Sequence, residues 1–195
     1  MIREMERKDA KECAQLHKDS IENAFLCELG ISFLEKFYEV LVNSRDCNGY
    51  VYIGNLGVIG FITGSRNMNR FFRSLILGNF FALCPIVLSR LVAEPKLIRS
   101  VIETFLYLGK SEVGNVKSEL VSIVVKKDYR GRGIGRRLLN ELVKSFRESD
   151  TTQFKVMVDR DNIKANEFYK ALGFEFFSTF NMYNKYINLY TYSVK

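Results

Sequence analysis

An α/β fold is what the sequence predicts, and three observations carry it. Seven short runs read as strands, helical stripes lie between them, and glycines or an Asn-Gly pair punctuate the joins. At 195 residues, the chain fits one domain, 1–195, long enough to bury a core without disulfide or metal staples.

In chain order, residues 2–6 alternate weakly and read as an edge strand. Asp9 reads as the cap of a helix reaching about Asn23, with Cys13, Leu16, Ser20 and Ala24 near one face. Phe33, Leu34, Phe37, Tyr38, Leu41 and Val42 recur at i, i+1, i+4, i+5, i+8 and i+9, the stripe of a second helix. Asn48-Gly49 predicts a turn, and residues 50–53 and 58–63 a hairpin around Asn55-Leu56-Gly57. Residues 66–110 are too apolar for a solvated loop and read as helices broken near Pro85 and Pro95. Residues 119–125 form a β-branched strand, 133–146 a helix and 154–158 another strand. Residues 165–172 are a helix stopped by Gly173, and strands over 174–182 and 186–194 close the chain.

A chain that is 47% apolar and 26% charged has globular composition. The charged start does not read as a secretory signal. The longest charge-free apolar run, residues 74–89, has 16 residues and a proline, short of the roughly 20 that span a bilayer. Four scattered cysteines without C-x-x-C spacing, and a single histidine, His17, fit buried thiols and no metal site. A cytoplasmic protein follows. The net charge of +7 is concentrated: Lys126, Lys127, Arg130, Arg132, Arg136 and Arg137 face one acid, Asp128, a local +5. A compact anion explains such a cluster better than a nucleic-acid backbone does.

That cluster surrounds Arg130-Gly131-Arg132-Gly133-Ile134-Gly135, between a strand and a helix. Alternate glycines allow a tight turn with no Cβ over the amides. Unpaired N–H groups at a helix start carry positive potential, which suits a pyrophosphate. Walker spacing is absent, and G-x-G-x-G is not the G-x-G-x-x-G of dinucleotide folds.

These residues resemble the GNAT superfamily of N-acetyltransferases. Arg130, Gly133 and Gly135 match its [QR]-x-x-G-x-[GA] signature. Asn162, Ala165, Phe168, Tyr169, Gly173 and Phe174 match its N-x-x-A-x-x-F-Y-x-x-x-G-F block at the expected distance. The resemblance implies a mixed, mostly antiparallel central sheet of six or seven strands flanked by helices. The helical insertion over 66–110 would lie between the third and fourth strands, and acetyl-CoA would be the co-substrate. Ile123, Val124 and Val125 would line the pantetheine arm, with backbone groups of Ile123 and Val125 bonding it. Amides of residues 131–136 (Gly131, Arg132, Gly133, Ile134, Gly135 and Arg136) would cradle the pyrophosphate, with Arg130 among the cations adding charge-assisted contacts. Asn162 and Phe168 would pack near the arm.

Transfer of an acetyl group to an amine requires a free amine, a place for the carbonyl's developing charge and a proton for the leaving thiolate. The resemblance places the last role on Tyr169. A phenol near pKa 10 protonating a thiolate near 8.5 is uphill by roughly 2 kcal/mol. Glu119 is the candidate base, with a solvent-facing strand residue as the competing reading, and His17 borders the acceptor region. The cysteines lie outside both motifs, which argues against an acetyl-cysteine route. The expected acceptor is a small-molecule amine, such as an amino sugar. A peptide amine and a non-catalytic acyl-CoA sensor are the alternatives. For the insertion, an acceptor wall or lid competes with a homodimer interface and with a membrane-surface patch using Arg70, Arg73, Arg90 and Arg99.

Overall fold

A computed structural model describes residues 1–21, 24–55, 57–109 and 116–194. Seven strands form one sheet: β1 (Ile2–Glu4), β2 (Cys47–Gly54), β3 (Gly57–Ser65), β4 (Glu119–Val125), β5 (Gln153–Asp159), β6 (Glu175–Met182) and β7 (Lys185–Ser193). Their order is β1-β2-β3-β4-β5-β7-β6, and every neighbouring pair is antiparallel except β4–β5. This is the mixed, mostly antiparallel sheet expected.

Helices α1 (Ala10–Ser20), α2 (Phe25–Glu28) and α3 (Ile31–Asn43) follow β1. The predicted stripe of α3 is buried: Phe33, Leu34, Phe37, Tyr38 and Leu41 pack with Cys13, Ala14, Val51 and Phe61 in one core. A second core is built on α7 (Ile134–Glu148), whose Leu138, Leu139, Leu142 and Phe146 pack with Ile62, Phe154 and Tyr190. Residues whose side chains alternate across the sheet feed both cores. Helix α8 (Ile163–Ala171) follows β5 and ends at Gly173, where φ is 88°.

The insertion lies between β3 and β4 as α4 (Met68–Gly78), α5 (Phe80–Ala93) and α6 (Leu97–Gly109). Its expected last residue, Lys110, lies outside the described residues, as do Asn23 and Leu56. The break falls at Asn79, not at Pro85, which lies inside α5. Pro85 cannot serve the carbonyl of Phe81, but both residues lie on the exposed side of α5, where water can serve it. Asn48 and Gly49 lie within β2, Gly49 opposite Thr63. A Cβ on Gly49 would meet Met5 at 3.2 Å, so this glycine answers to close packing and not to a turn. Asp9 does not cap α1 through its side chain: its carboxylate accepts from both Arg3 Nη atoms at 2.7 and 2.8 Å and from the Glu6 N–H at 2.8 Å.

Candidate active site

The sheet opens in the middle. Strands β4 and β5 each have seven residues, yet they pair only at Glu119 and Lys155. Lys126 N–H donates to Ile59 O at 2.9 Å, and antiparallel pairing alternates. Val124 and Ser122 therefore turn their backbone groups toward β3, while Ile123 and Val125 turn theirs into the gap. Val124 lines the cleft beside them, while its side chain also belongs to the core built on α1 and α3. The gap is a cleft of about 1100 Å³.

At one end of this cleft stands the start of α7. Gly131 and Gly133 have φ of 76° and 73°, and a Cβ on either would meet nothing within 4 Å. Their requirement is backbone conformation. Gly133 is the cap residue of α7, and among the described residues no side chain caps that end, so its first amides remain open to a ligand. Gly135 works differently: a Cβ there would sit 3.0 Å from Phe168 Cζ, so the glycine lets the Phe168 ring lie against the first turn of α7. The site therefore fits a pyrophosphate-bearing chain running along β4. Replacing Gly133 with alanine should weaken acetyl-CoA binding about tenfold, because a side chain there costs roughly 1–2 kcal/mol in the left-handed region. Calorimetric titration with acetyl-CoA measures it.

The arginines are less uniform than expected. Arg136 and Arg130 line the cleft, but Arg130 Nε donates to Val125 O at 2.9 Å, occupying one of the two strand carbonyls facing the gap. Arg132 lies outside the lining. Its guanidinium covers the Tyr129 ring and donates to Asp128 O at 3.1 Å. The remaining predicted residues, Ile134, Asn162, Phe168, Tyr169, Glu119 and His17, all border the cleft. Asn162 caps α8 through Oδ1, accepting from Ala165 N–H at 3.1 Å, which leaves its amide nitrogen available.

Tyr169 is buried against Phe168, Phe174 and Tyr190, and its hydroxyl has no hydrogen-bond partner among the described residues. Burial pushes the phenol well above its ordinary value. Glu119 is 4% exposed, which overturns the solvent-facing reading. Its Oε2 has no hydrogen-bond partner among the described residues, and Lys155 Nζ lies 3.9 Å away. Burial raises the carboxyl to about 7, against the pull of Lys155. His17 is buried with Nδ1 against the Tyr38 hydroxyl, which in turn meets Ser122 on β4. Burial lowers the imidazole to about 4.

His17 and Glu119 pull stability in opposite directions. Between pH 4 and 6.5, folded His17 binds fewer protons than in the unfolded chain, so its contribution is lost as pH falls. Between pH 4.5 and 7, folded Glu119 binds more, so its contribution is lost as pH rises. The slopes offset each other from 4.5 to 6.5. His17→Gln should uncover the Glu119 slope, a fall on the order of 3 kcal/mol as pH rises through that window, read by urea unfolding at several pH values.

Three further elements, not singled out from the sequence, build the site. Asn166 is buried: Nδ2 donates to Asp159 O and Asn162 O at 2.9 and 2.7 Å, and Oδ1 accepts from Asn188 Nδ2 and Tyr190 Oη, both at 2.8 Å. It thus ties α8 to β5 and β7. The α6 helix meets the β6–β7 turn, with Glu103 accepting from Tyr183 N–H at 2.6 Å and Thr104 Oγ1 2.8 Å from the Tyr183 hydroxyl. Phe25 stacks on Tyr183 with ring centroids 4.9 Å apart. Phe25, Thr104 and Tyr183, with Met68 and Phe72 of α4, line the cleft together with Glu119.

A sheet that parts beside an uncapped, basic helix start is the arrangement the resemblance implies for an acetyl-CoA site. Residues 96–174 match the model of the Acetyltransferase (GNAT) family, which puts a GNAT acetyltransferase domain on this stretch of the chain. A 58-residue stretch is 40% identical to an uncharacterised N-acetyltransferase of Methanocaldococcus jannaschii, covering 30% of this chain and about a quarter (26%) of that protein. The fold is shared with the ribosomal-protein-S18-alanine N-acetyltransferase of Escherichia coli, at TM-score 0.64, 12% identity and coverage of 100% of this chain and 94% of that one. It is shared too with Arabidopsis thaliana NAA60 in complex with acetyl-CoA, at TM-score 0.61, 18% identity and coverage of 100% and 98%.

Proposed function

We propose that this protein, acting as one domain over 1–195, moves an acetyl group from acetyl-CoA to a primary amine by direct attack in a ternary complex. The observation that carries this is the parting of β4 from β5 immediately after Glu119, which leaves the Val125 N–H facing the cleft. Acetyl-CoA supplies an activated acyl group as its thioester. Ile123 and Val125 bind its pantetheine arm by strand addition. The amides of residues 131–136, with Arg130 and Arg136, take the pyrophosphate. Asn162 and Phe168 fix the arm from the α8 side.

In this reading Glu119 accepts a proton from the acceptor ammonium, directly or through water, and the freed amine attacks the carbonyl carbon. The Val125 N–H takes the charge developing on the carbonyl oxygen. Tyr169 gives its proton to the sulfur as the C–S bond breaks and recovers one from the amide nitrogen, so the product amide is neutral and the phenol is restored. Because burial weakens Tyr169 as an acid, that proton moves together with bond cleavage and not before it. The acceptor we favour is a small molecule such as an amino sugar: the Phe25–Tyr183 pair offers an aromatic surface to the apolar face of a sugar ring, with Thr104 and Glu119 beside it. A peptide amine is the second reading, favoured by a fold neighbour whose name gives a protein acceptor. All four cysteines are unpaired, which fits a reducing compartment, and we place the protein in the cytoplasm.

The test is release of CoA thiol from acetyl-CoA with a panel of amino sugars and nucleotide-linked amino sugars beside a panel of peptides. Turnover with the sugars alone supports the first reading, and turnover with peptides alone the second. Tight acetyl-CoA binding without thiol release from either panel would instead mark an acyl-CoA sensor.

A further inference from the structure

The wall formed by α4–α6 has an outer side that the acetyl-transfer reading does not use. On α5, Leu83 is buried while Phe81, Leu88 and Val92, at i, i+7 and i+11, are 92%, 54% and 82% exposed. On α6, Leu97 is buried, and Ile98, Ile102 and Leu106, at i, i+4 and i+8, are exposed. Phe80 and Leu77 extend this apolar surface around the 91° bend between α4 and α5. Each helix thus has an apolar stripe facing outward, where a soluble surface is ordinarily polar. The charges bordering the stripes are mostly positive. From α5 to α6 the cations Arg90, Lys96 and Arg99 outnumber Glu94 and Glu103, with which they pair, and Arg73 of α4, Lys96 and Arg99 are exposed.

We propose that the outer face of α5 and α6 docks on a membrane surface carrying anionic headgroups, the apolar stripes entering the headgroup layer and the basic residues meeting phosphates. Charge decides the occupant. A second copy of the chain related by a two-fold axis would bring the same cations face to face, whereas an anionic bilayer neutralises them. Dimensions decide the mode. With 14 and 13 residues, α5 and α6 are each too short to cross a bilayer. Insertion of the bent α4–α5 pair would require Phe71 and Leu75 to leave the core in which they are buried. The face therefore lies on the surface. The cleft is walled by Thr104 of α6 and Phe72 of the adjoining α4, so docking would hold the acceptor end of the cleft close to the bilayer.

Co-sedimentation of the full chain with vesicles tests this, using phosphatidylcholine alone and phosphatidylcholine mixed with phosphatidylglycerol. Binding to the mixed vesicles that weakens as salt rises is the expected result. Phe81→Glu combined with Val92→Glu should reduce it at least about tenfold. Arg73→Gln and Lys96→Gln should each reduce it roughly fivefold. Phe177→Glu, on an exposed part of β6 away from the patch, should leave it unchanged. An unaltered melting temperature and acetyl-CoA affinity show that each variant is folded. The proposal is overturned if the mixed vesicles are not bound, if neutral vesicles are bound equally well, if Phe81→Glu with Val92→Glu has no effect, or if light scattering shows a dimer that this double substitution dissociates. None of these outcomes depends on amine turnover, so the membrane proposal and the acetyl-transfer reading can fail separately.

Discussion

Replacing Tyr169 with phenylalanine should lower kcat for acetyl transfer by about a hundredfold and leave acetyl-CoA binding within about twofold. The split follows from where the two parts of the side chain lie. The ring is packed against Phe168, Phe174 and Tyr190, and phenylalanine keeps that packing. The hydroxyl borders the cleft and has no hydrogen-bond partner among the described residues, so its removal strands no buried polar group and should shift the melting temperature little. A group whose loss is nearly neutral for the fold and severe for kcat acts on the reacting atoms. Stopped-flow release of CoA thiol at saturating amine, beside calorimetric titration of acetyl-CoA, separates the two. Equal thiol release by both proteins would return Tyr169 to the role of a core aromatic.

The parts of the site legible from sequence are those made by short-range geometry. Gly131 and Gly133 act within one turn of chain, and the stripe of α3 within four, so their spacing alone points to their structure. What escaped has long-range causes. Glu119 reads as one polar residue in a β-branched strand; that it is buried depends on β5 arriving opposite it with Lys155. Asn166 occupies an unassigned position of the N-x-x-A-x-x-F-Y block, and its value lies in partners on β5 and β7 that local pattern cannot supply. Asn48-Gly49 misled because a turn pair and a glycine forced by the neighbouring Met5 side chain look identical in sequence. Pro85 misled because the cost of a proline inside a helix depends on which side of it meets water, and only packing decides that. The insertion was recognisable as helical, yet its division into a cleft wall and an outward apolar face required knowing which residues of each helix are buried.

Glu119→Gln should lower kcat by two to three orders of magnitude and change the shape of the pH profile. In the wild type, kcat at saturating amine should rise through about pH 7, where the buried carboxyl loses its proton, and level off above. Ionisation of the free amine acts on kcat/KM, so a limb in kcat belongs to a group in the assembled complex. His17 cannot supply it, because its imidazole, held near 4, is already neutral. Glutamine has the same shape without an ionisable proton, so the limb should vanish along with most of the rate. Lys155 offers an independent check on the cause. Its charge is what restrains the upward shift of Glu119, so Lys155→Met should move the limb to higher pH, leaving less active base at neutrality but a comparable plateau in alkali. If the limb survives in Glu119→Gln, the base is another group; if it is lost there but stays at the same pH in Lys155→Met, Glu119 is the base and burial alone sets where it ionises.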